Sequence, residues 1–118
     1  MTHAERPEKL AILWVSDDPG AARNMVFMYA GNAPKNDWWS QVTLIVWGPT
    51  ARLLAEDPEL RDECAALAED GVELLACKAC ADRYGVSDDL TATGFDVLYM
   101  GAPLTDMLKD PQWAVLSI

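Results

Sequence analysis

The stretch from residue 72 to residue 86 reads Val72-Glu-Leu-Leu-Ala-Cys77-Lys-Ala-Cys80-Ala-Asp-Arg-Tyr-Gly85-Val86. Its first five residues are an apolar run of strand length, and a short helical segment follows from Cys77 until Gly85 ends it. A cysteine at such a junction lies at the rim of a parallel sheet, where the free N–H groups of the next helix favour the thiolate. Cys77 is therefore the strongest candidate for chemistry in this chain.

The same order, strand and then helix, recurs along the 118 residues of the chain. Apolar runs typical of strands covered on both faces stand at residues 10–15, 42–47, 72–76, 95–100 and 113–118. Helical segments separate these runs, which predicts a three-layer α/β/α domain with a mostly parallel five-stranded sheet. We expect residues 1–8 to be a flexible tail and residues 9–118 to be one domain, because this length supports a single core.

The ends of the first helix are predicted from its capping residues. Asp18 is expected to be the N-cap, with Pro19 at the first helical position. The helix is expected to run to about Ala30, where Gly31-Asn32 closes it and Pro34 prevents its continuation.

The functional crevice of an open α/β sheet lies beyond the carboxyl ends of its strands. The segments that reach this rim are residues 16–20, 47–50, 77–80 and 100–103. Any site should therefore draw on these four segments, one of which contains both Cys77 and Cys80.

The charge of the chain argues against several classes of partner. Its 19 acidic and 9 basic residues give a formal net charge of −10, which repels phosphate backbones and anionic headgroups. No apolar run is long enough to span a membrane, and the polar N-terminus lacks the apolar core of a secretion signal. We therefore expect a cytoplasmic protein with no nucleic-acid partner and no membrane partner.

Three cysteines are an odd number, which argues against a disulfide framework in a domain of this size. Cys77 is interpreted either as a nucleophile with a lowered pKa or as a small hydrophobe packed at a sheet edge. Cys80, one helical turn later, either resolves a disulfide or packs inward. Cys64 falls on the apolar face of its helix and is expected in the core. Lys78 either favours a Cys77 thiolate or extends into water.

Metal and nucleotide chemistry find little support in the sequence. A structural zinc site needs four ligands, whereas the chain has one Cys-x-x-Cys pair and a single histidine, His3, in the tail. A serine or cysteine protease site lacks a histidine base for the same reason. Residues 16–23 contain neither a Gly-x-Gly-x-x-Gly pattern nor a Walker lysine. We therefore expect no metal and no cofactor.

Five tryptophans are many for a small domain. Trp14, Trp47 and Trp113 stand on predicted strands and are expected in the core. The Trp38-Trp39 pair stands on a loop and is expected in an interface between subunits.

With these residues in view, the chain resembles the DsrE/DsrF-like family, which includes the DsrE, TusD and YchN proteins. Members of that family likewise place a cysteine after the third strand, then an alanine-rich helical turn, a basic residue and a Gly-Val or Gly-Ile pair, as in residues 72–86. The turn Trp47-Gly48-Pro49 and the closing segment 97–118 are also similar to the family's. The resemblance covers the chain from Leu10 to Ile118.

The resemblance implies a small cytoplasmic α/β subunit that assembles into trimers, hexamers or mixed complexes. In the sulfur-relay branch of the family, one cysteine carries a persulfide and hands its outer sulfur to a partner protein. The family position of that cysteine corresponds to Cys77, and to neither Cys80 nor Cys64.

The leading hypothesis from the sequence is a sulfur carrier of the DsrE/F type without a cofactor. Cys77 is its carrier residue, Cys80 is a candidate secondary thiol, and sulfur donor and acceptor proteins are its partners, with the subunit itself a homo-oligomer. Two alternatives stay open. One is a non-catalytic oligomeric module that binds a small ligand, and the other is a thiol–disulfide protein that uses both Cys77 and Cys80.

Overall fold

The structure, a computed structural model, describes residues 6–118 and contains one five-stranded sheet in that part of the chain. The strands are β1 (Lys9–Trp14), β2 (Gln41–Val46), β3 (Glu73–Cys77), β4 (Asp96–Leu98) and β5 (Trp113–Ser117). Their order is β4-β3-β2-β1-β5, and every neighbouring pair is parallel. The expected α/β/α domain with five strands is confirmed, and its sheet is parallel throughout.

The helices follow the strands as expected, apart from one boundary. They are α1 (Pro19–Ala21), a π-helical segment (Ala22–Val26), α2 (Phe27–Lys35), α3 (Pro49–Glu56), α4 (Pro58–Glu69), α5 (Lys78–Arg83), α6 (Ser87–Thr93) and α7 (Gly101–Lys109). Asp18 caps the first helix by accepting a hydrogen bond from the Gly20 N–H at 2.9 Å. Asp57 caps α4 in the same way through the Leu60 N–H at 3.2 Å.

The prediction that the first helix closes at Gly31-Asn32 is wrong, because α2 runs to Lys35 with Pro34 inside its last turn. Ala30 and Ala33 are fully buried on this turn, so packing outweighs the cost of glycine and proline. Gly31 faces α4, where a Cβ atom built on it would lie 3.5 Å from the Leu67 side chain.

The strand order determines which face of the sheet each helix covers. The steps from β1 to β2, from β2 to β3 and from β3 to β4 all move in one direction. Right-handed crossovers therefore put helices α1 to α6 on one face, which we call the multi-helix face. The step from β4 to β5 returns across the whole sheet and puts α7 on the other face. The buried clusters agree, since Leu54, Leu60 and Leu90 pack on the first face while Met107 packs on the second.

The face under α7, which we call the α7 face, is the thinner side of the domain. Its buried residues include Ala11, Ile45, Leu75 and Met107, whereas Leu13, Leu104 and Val115 around them are only half-buried. One helix of nine residues does not cover five strands.

The same thin cover corrects part of the expectation for the strand tryptophans. Trp14 is fully buried on the multi-helix face, edge-on to Phe27 with ring centroids 5.5 Å apart. Trp47 and Trp113 lie on the α7 face and are only half-buried.

Of the expected tail, residues 1–5, including His3, lie outside the described residues. Glu8 is bonded to the domain at both backbone groups. Its N–H donates to the Gln112 carbonyl oxygen at 3.0 Å, and its carbonyl oxygen accepts from the Ser40 N–H at 2.8 Å.

Candidate functional site

Cys77 lies at the junction that its sequence predicted. It is the last residue of β3 and the N-cap of α5, with an extended backbone conformation (φ −67°, ψ 113°). Its side chain is on the α7 face with Leu75 and Met100, and only 6 % of its surface is exposed. The sulfur therefore sits just under the rim of the sheet.

The strand order adds a second property to this position. Cys77 is paired in register with Leu98, the last residue of β4. After Cys77 the chain enters α5 on the multi-helix face, whereas after Leu98 it enters α7 on the opposite face. Cys77 thus lies at the carboxyl edge of the sheet, where the connections to α5 and α7 begin.

The four predicted rim segments fall into two groups. Residues 77–80 and 100–103 follow β3 and β4, and Met100 belongs to the same buried cluster as Cys77. Residues 16–20 and 47–50 follow β1 and β2 and are joined to each other. Thr50 Oγ1 donates to the carbonyl oxygens of Trp14 and Ser16, at 2.8 and 3.1 Å.

The expectation of a lowered pKa at Cys77 is wrong for the free thiol. Burial raises the pKa of Cys77 above its ordinary value of 9.0, and the contact with the Cys80 thiol raises it further. The neighbouring backbone N–H groups of Cys80 and Ala79 act in the opposite direction and lower the pKa. The sequence predicted the N–H groups at the start of the helix but not the burial of Cys77. That burial comes from residues distant in sequence, such as Met100.

Cys80 stands between the two sides of the domain. It is half-buried and packs against both core clusters, one of which contains Cys77. Cys64, in contrast, is fully buried on the multi-helix face, as expected. Burial, with Glu63 nearby, raises the pKa of the Cys64 thiol to about 12.

Lys78 does not act on Cys77 in this structure, because its ammonium group is engaged elsewhere. Lys78 Nζ lies 3.0 Å from Asp82 Oδ2 and 5.9 Å from the centre of the Tyr99 ring. Asp82 also accepts a hydrogen bond from Ser87 Oγ at 2.6 Å. The Ser87 hydroxyl and Lys78 together lower the pKa of Asp82, and Asp82 in turn raises the pKa of Lys78.

Tyr99 and Asp82 are rim residues that sequence reasoning missed. The Lys78–Asp82 pair has the i, i+4 spacing of helical ion pairs, so that spacing could have revealed it. Tyr99 follows β4 and is 68 % exposed, which its place in an apolar run did not indicate.

A second concave surface lies along the π-helical segment and α2. This groove of about 200 Å³ is lined by Asn24, Met25, Met28, Tyr29, Asn32 and Trp38. Of the tryptophan pair, Trp38 is 54 % exposed in the groove, whereas Trp39 is half-buried and donates its indole N–H to Tyr29 Oη at 3.0 Å.

Residues 6–118 contain neither a metal-binding cluster nor a membrane-spanning helix. No three His, Cys, Asp or Glu side chains in this part of the chain are grouped so that they could hold a metal ion. None of the helices described combines the length and the apolar composition needed to cross a bilayer.

The fold and the site define a class of protein: a small, all-parallel α/β domain with a cysteine at the carboxyl end of its third strand. The chain belongs to the DsrE/DsrF-like family, whose model matches residues 10–117. It is also similar to the solved structure of a conserved protein of unknown function from Bacteroides thetaiotaomicron. That similarity has a TM-score of 0.89, with 37% sequence identity over 94% of this chain and 95% of the other. A comparison with curated proteins gave no match.

Proposed function

We propose that this protein is a sulfur carrier in which Cys77 holds a persulfide and passes the outer sulfur to an acceptor protein. The observation that carries the proposal is the position of Cys77, which ends β3 at the carboxyl edge of the sheet and is the N-cap of α5. Membership of a family with a sulfur-relay branch supports the same chemistry.

The reaction has two balanced steps. The Cys77 thiolate attacks the outer sulfur of a donor persulfide, R–S–SH, so that a new S–S bond forms on Cys77 while the donor's S–S bond breaks and RS⁻ leaves. An acceptor thiolate then attacks the outer sulfur of Cys77–S–SH, and the Cys77 thiolate leaves. No net oxidation occurs in either step, and the chemistry calls for no cofactor.

The surroundings of Cys77 limit how readily the resting thiol reacts. Burial keeps the resting thiol protonated, which suppresses reaction with stray electrophiles. The N–H groups at the start of α5 favour negative charge on the sulfur as it develops in each step. Tyr99 and Lys78 at the rim are accessible to a docking protein.

The partners of this proposal are a donor protein, an acceptor protein and further copies of the chain. An all-parallel sheet is normally covered on both faces, yet the α7 face leaves Leu13, Trp113 and Val115 half-buried. We place the interface of a homo-oligomer there, in a trimer or hexamer. The three free thiols fit a reducing compartment such as the cytoplasm.

The test is intact mass after incubation with sodium polysulfide. The Cys80→Ser variant is expected to gain about 32 Da, the mass of one sulfur atom, and the Cys77→Ser/Cys80→Ser variant to gain nothing. Cys64→Ala is the matched control and should load like the wild type. Absence of an adduct on every variant would contradict the carrier and favour a module that binds a small ligand.

A further inference from the structure

The two thiols of the Cys-x-x-Cys pair lie close together in the fold. Cys77 is the N-cap of α5 and Cys80 is its third residue, two positions whose side chains meet across the first turn of a helix. Cys80 packs against the buried cluster that contains Cys77. Cys80 is the more exposed of the two, since it is half-buried and Cys77 is buried.

We propose that Cys80 is a resolving thiol that discharges the Cys77 persulfide as hydrogen sulfide. This inference rests on the proposed function, since it begins from the loaded carrier. It gives the bound sulfur a second fate besides transfer to an acceptor protein, and it assigns that fate to one residue.

The step balances without an external oxidant. The Cys80 thiolate attacks Sγ of Cys77, which is the inner sulfur of the persulfide, and a Cys77–Cys80 disulfide forms. The bond from Sγ to the outer sulfur breaks, and HS⁻ leaves with the electron pair and takes up the proton that Cys80 lost. The outer sulfur is thereby reduced by two electrons, and the two cysteine sulfurs are oxidised. A dithiol reductant restores the free thiols.

The geometry favours attack on the inner sulfur over a simple relay of the outer sulfur to Cys80. Cys80 packs against the cluster that contains the Cys77 side chain, one helical turn away, so it lies near Sγ of Cys77, whereas an outer sulfur would extend beyond that atom. The i, i+3 spacing at a helix start is also the spacing of Cys-x-x-Cys oxidoreductases, whose cysteines close a disulfide. Cys64 cannot replace Cys80, because it is fully buried in the cluster on the other face.

The consequence is a time limit on the loaded state. An acceptor protein must take the sulfur before Cys80 expels it, and unclaimed sulfur leaves as sulfide. The loaded carrier would thus supply reactions that consume sulfide, and its turnover in that mode would depend on a dithiol reductant.

The experiment loads wild type, Cys80→Ser, Cys80→Ala and Cys64→Ala with sodium polysulfide, removes the excess by desalting, and follows intact mass and released sulfide over time. Wild type and Cys64→Ala are expected to lose the adduct of about 32 Da, to end about 2 Da below the reduced mass, and to release sulfide. Both Cys80 variants should keep the adduct at least about tenfold longer. Urea unfolding of each variant verifies that it is folded.

The outcomes separate this inference from the carrier proposal. An adduct that decays at the same rate in wild type and in both Cys80 variants would overturn the resolving role and leave the carrier intact. Sulfur found on Cys80 by peptide mapping would overturn it in favour of a relay. If neither Cys80 variant takes up sulfur at all, the carrier proposal fails, and this inference fails with it.

Discussion

Cys77 and Leu98 are paired in register as the last residues of two adjacent parallel strands, and the chain leaves them toward opposite faces of the sheet. This pairing follows from the strand order, in which three crossovers move one way and the fourth returns. The residue with the strongest case for chemistry therefore lies at the carboxyl edge of the sheet, where the connections to α5 and α7 begin. Neither a catalytic base nor a cofactor is needed to explain why a cysteine stands there.

The pH dependence of Cys77 reactivity checks the direction of its pKa. Because burial raises the pKa above 9.0, little thiolate is present at neutral pH, and the rate of alkylation should rise about tenfold per pH unit from pH 7 to pH 9. The measurement is iodoacetamide kinetics on a Cys64→Ala/Cys80→Ala background. Lys78→Met should leave the profile within about 0.3 pH unit, since Lys78 pairs with Asp82. A plateau below pH 8 would instead indicate an activated thiolate.

The stability of the protein at alkaline pH should depend on Cys64. Its pKa is about 12 in the folded protein and 9.0 ordinarily, so between these values the unfolded chain has lost a proton that the folded chain retains. The contribution of this thiol to the free energy of unfolding is fully present below pH 9. It falls by about 1.4 kcal/mol for each pH unit above pH 9, up to the pKa of the folded state.

Urea unfolding at pH 8 and pH 10 measures this effect. Wild type should lose about 1.4 kcal/mol more between the two values than Cys64→Ala does. The effects of the other two thiols on the free energy of unfolding cancel in this comparison, because both proteins contain them. Equal losses would mean that Cys64 titrates normally in the folded state.

Two glycine substitutions test the helix boundary that the sequence misplaced. Gly31→Ala should raise the free energy of unfolding by about 0.5–1 kcal/mol, because the new methyl group meets Leu67 at an ordinary contact distance inside a helix. Gly94→Ala is the matched control and should lower it by about 1–2 kcal/mol, since Gly94 caps α6 at φ +119°. Loss of stability in Gly31→Ala would contradict this packing of α2 on α4.

The thin cover of the α7 face predicts that the interface of the proposed homo-oligomer lies on this face. Val115→Lys puts a charge on that face and should reduce the mass measured by light scattering to that of a single chain, 13.0 kDa. Met28→Lys, in the groove beside Trp38, is the matched control and should leave the oligomer intact. The reverse pattern would assign the interface to the tryptophan pair.

Much of this fold could be predicted from the chain because its signals are local. The apolar runs located all five strands, and the cap at Asp18 located the start of the first helix. The turn from strand to helix at Cys77 was equally local.

The remaining features depend on residues far apart in sequence. The pKa of Cys77 reflects burial under Met100, and the half-exposure of Trp47 and Trp113 reflects a single helix over one face. The extra turn of α2 depends on its contact with α4. The helix breakers Gly31 and Pro34, taken locally, predicted an earlier end of this helix.

The most direct test of the account is sulfur transfer through one residue. The Cys80→Ser variant is loaded with radiolabelled polysulfide, desalted, and mixed with glutathione as the acceptor thiol. We predict about one label per chain before mixing, loss of the label to glutathione afterwards, and no label on Cys77→Ser/Cys80→Ser. Label on the double variant at the same level, or label on Cys77 that glutathione cannot remove, would contradict the claim that Cys77 carries sulfur.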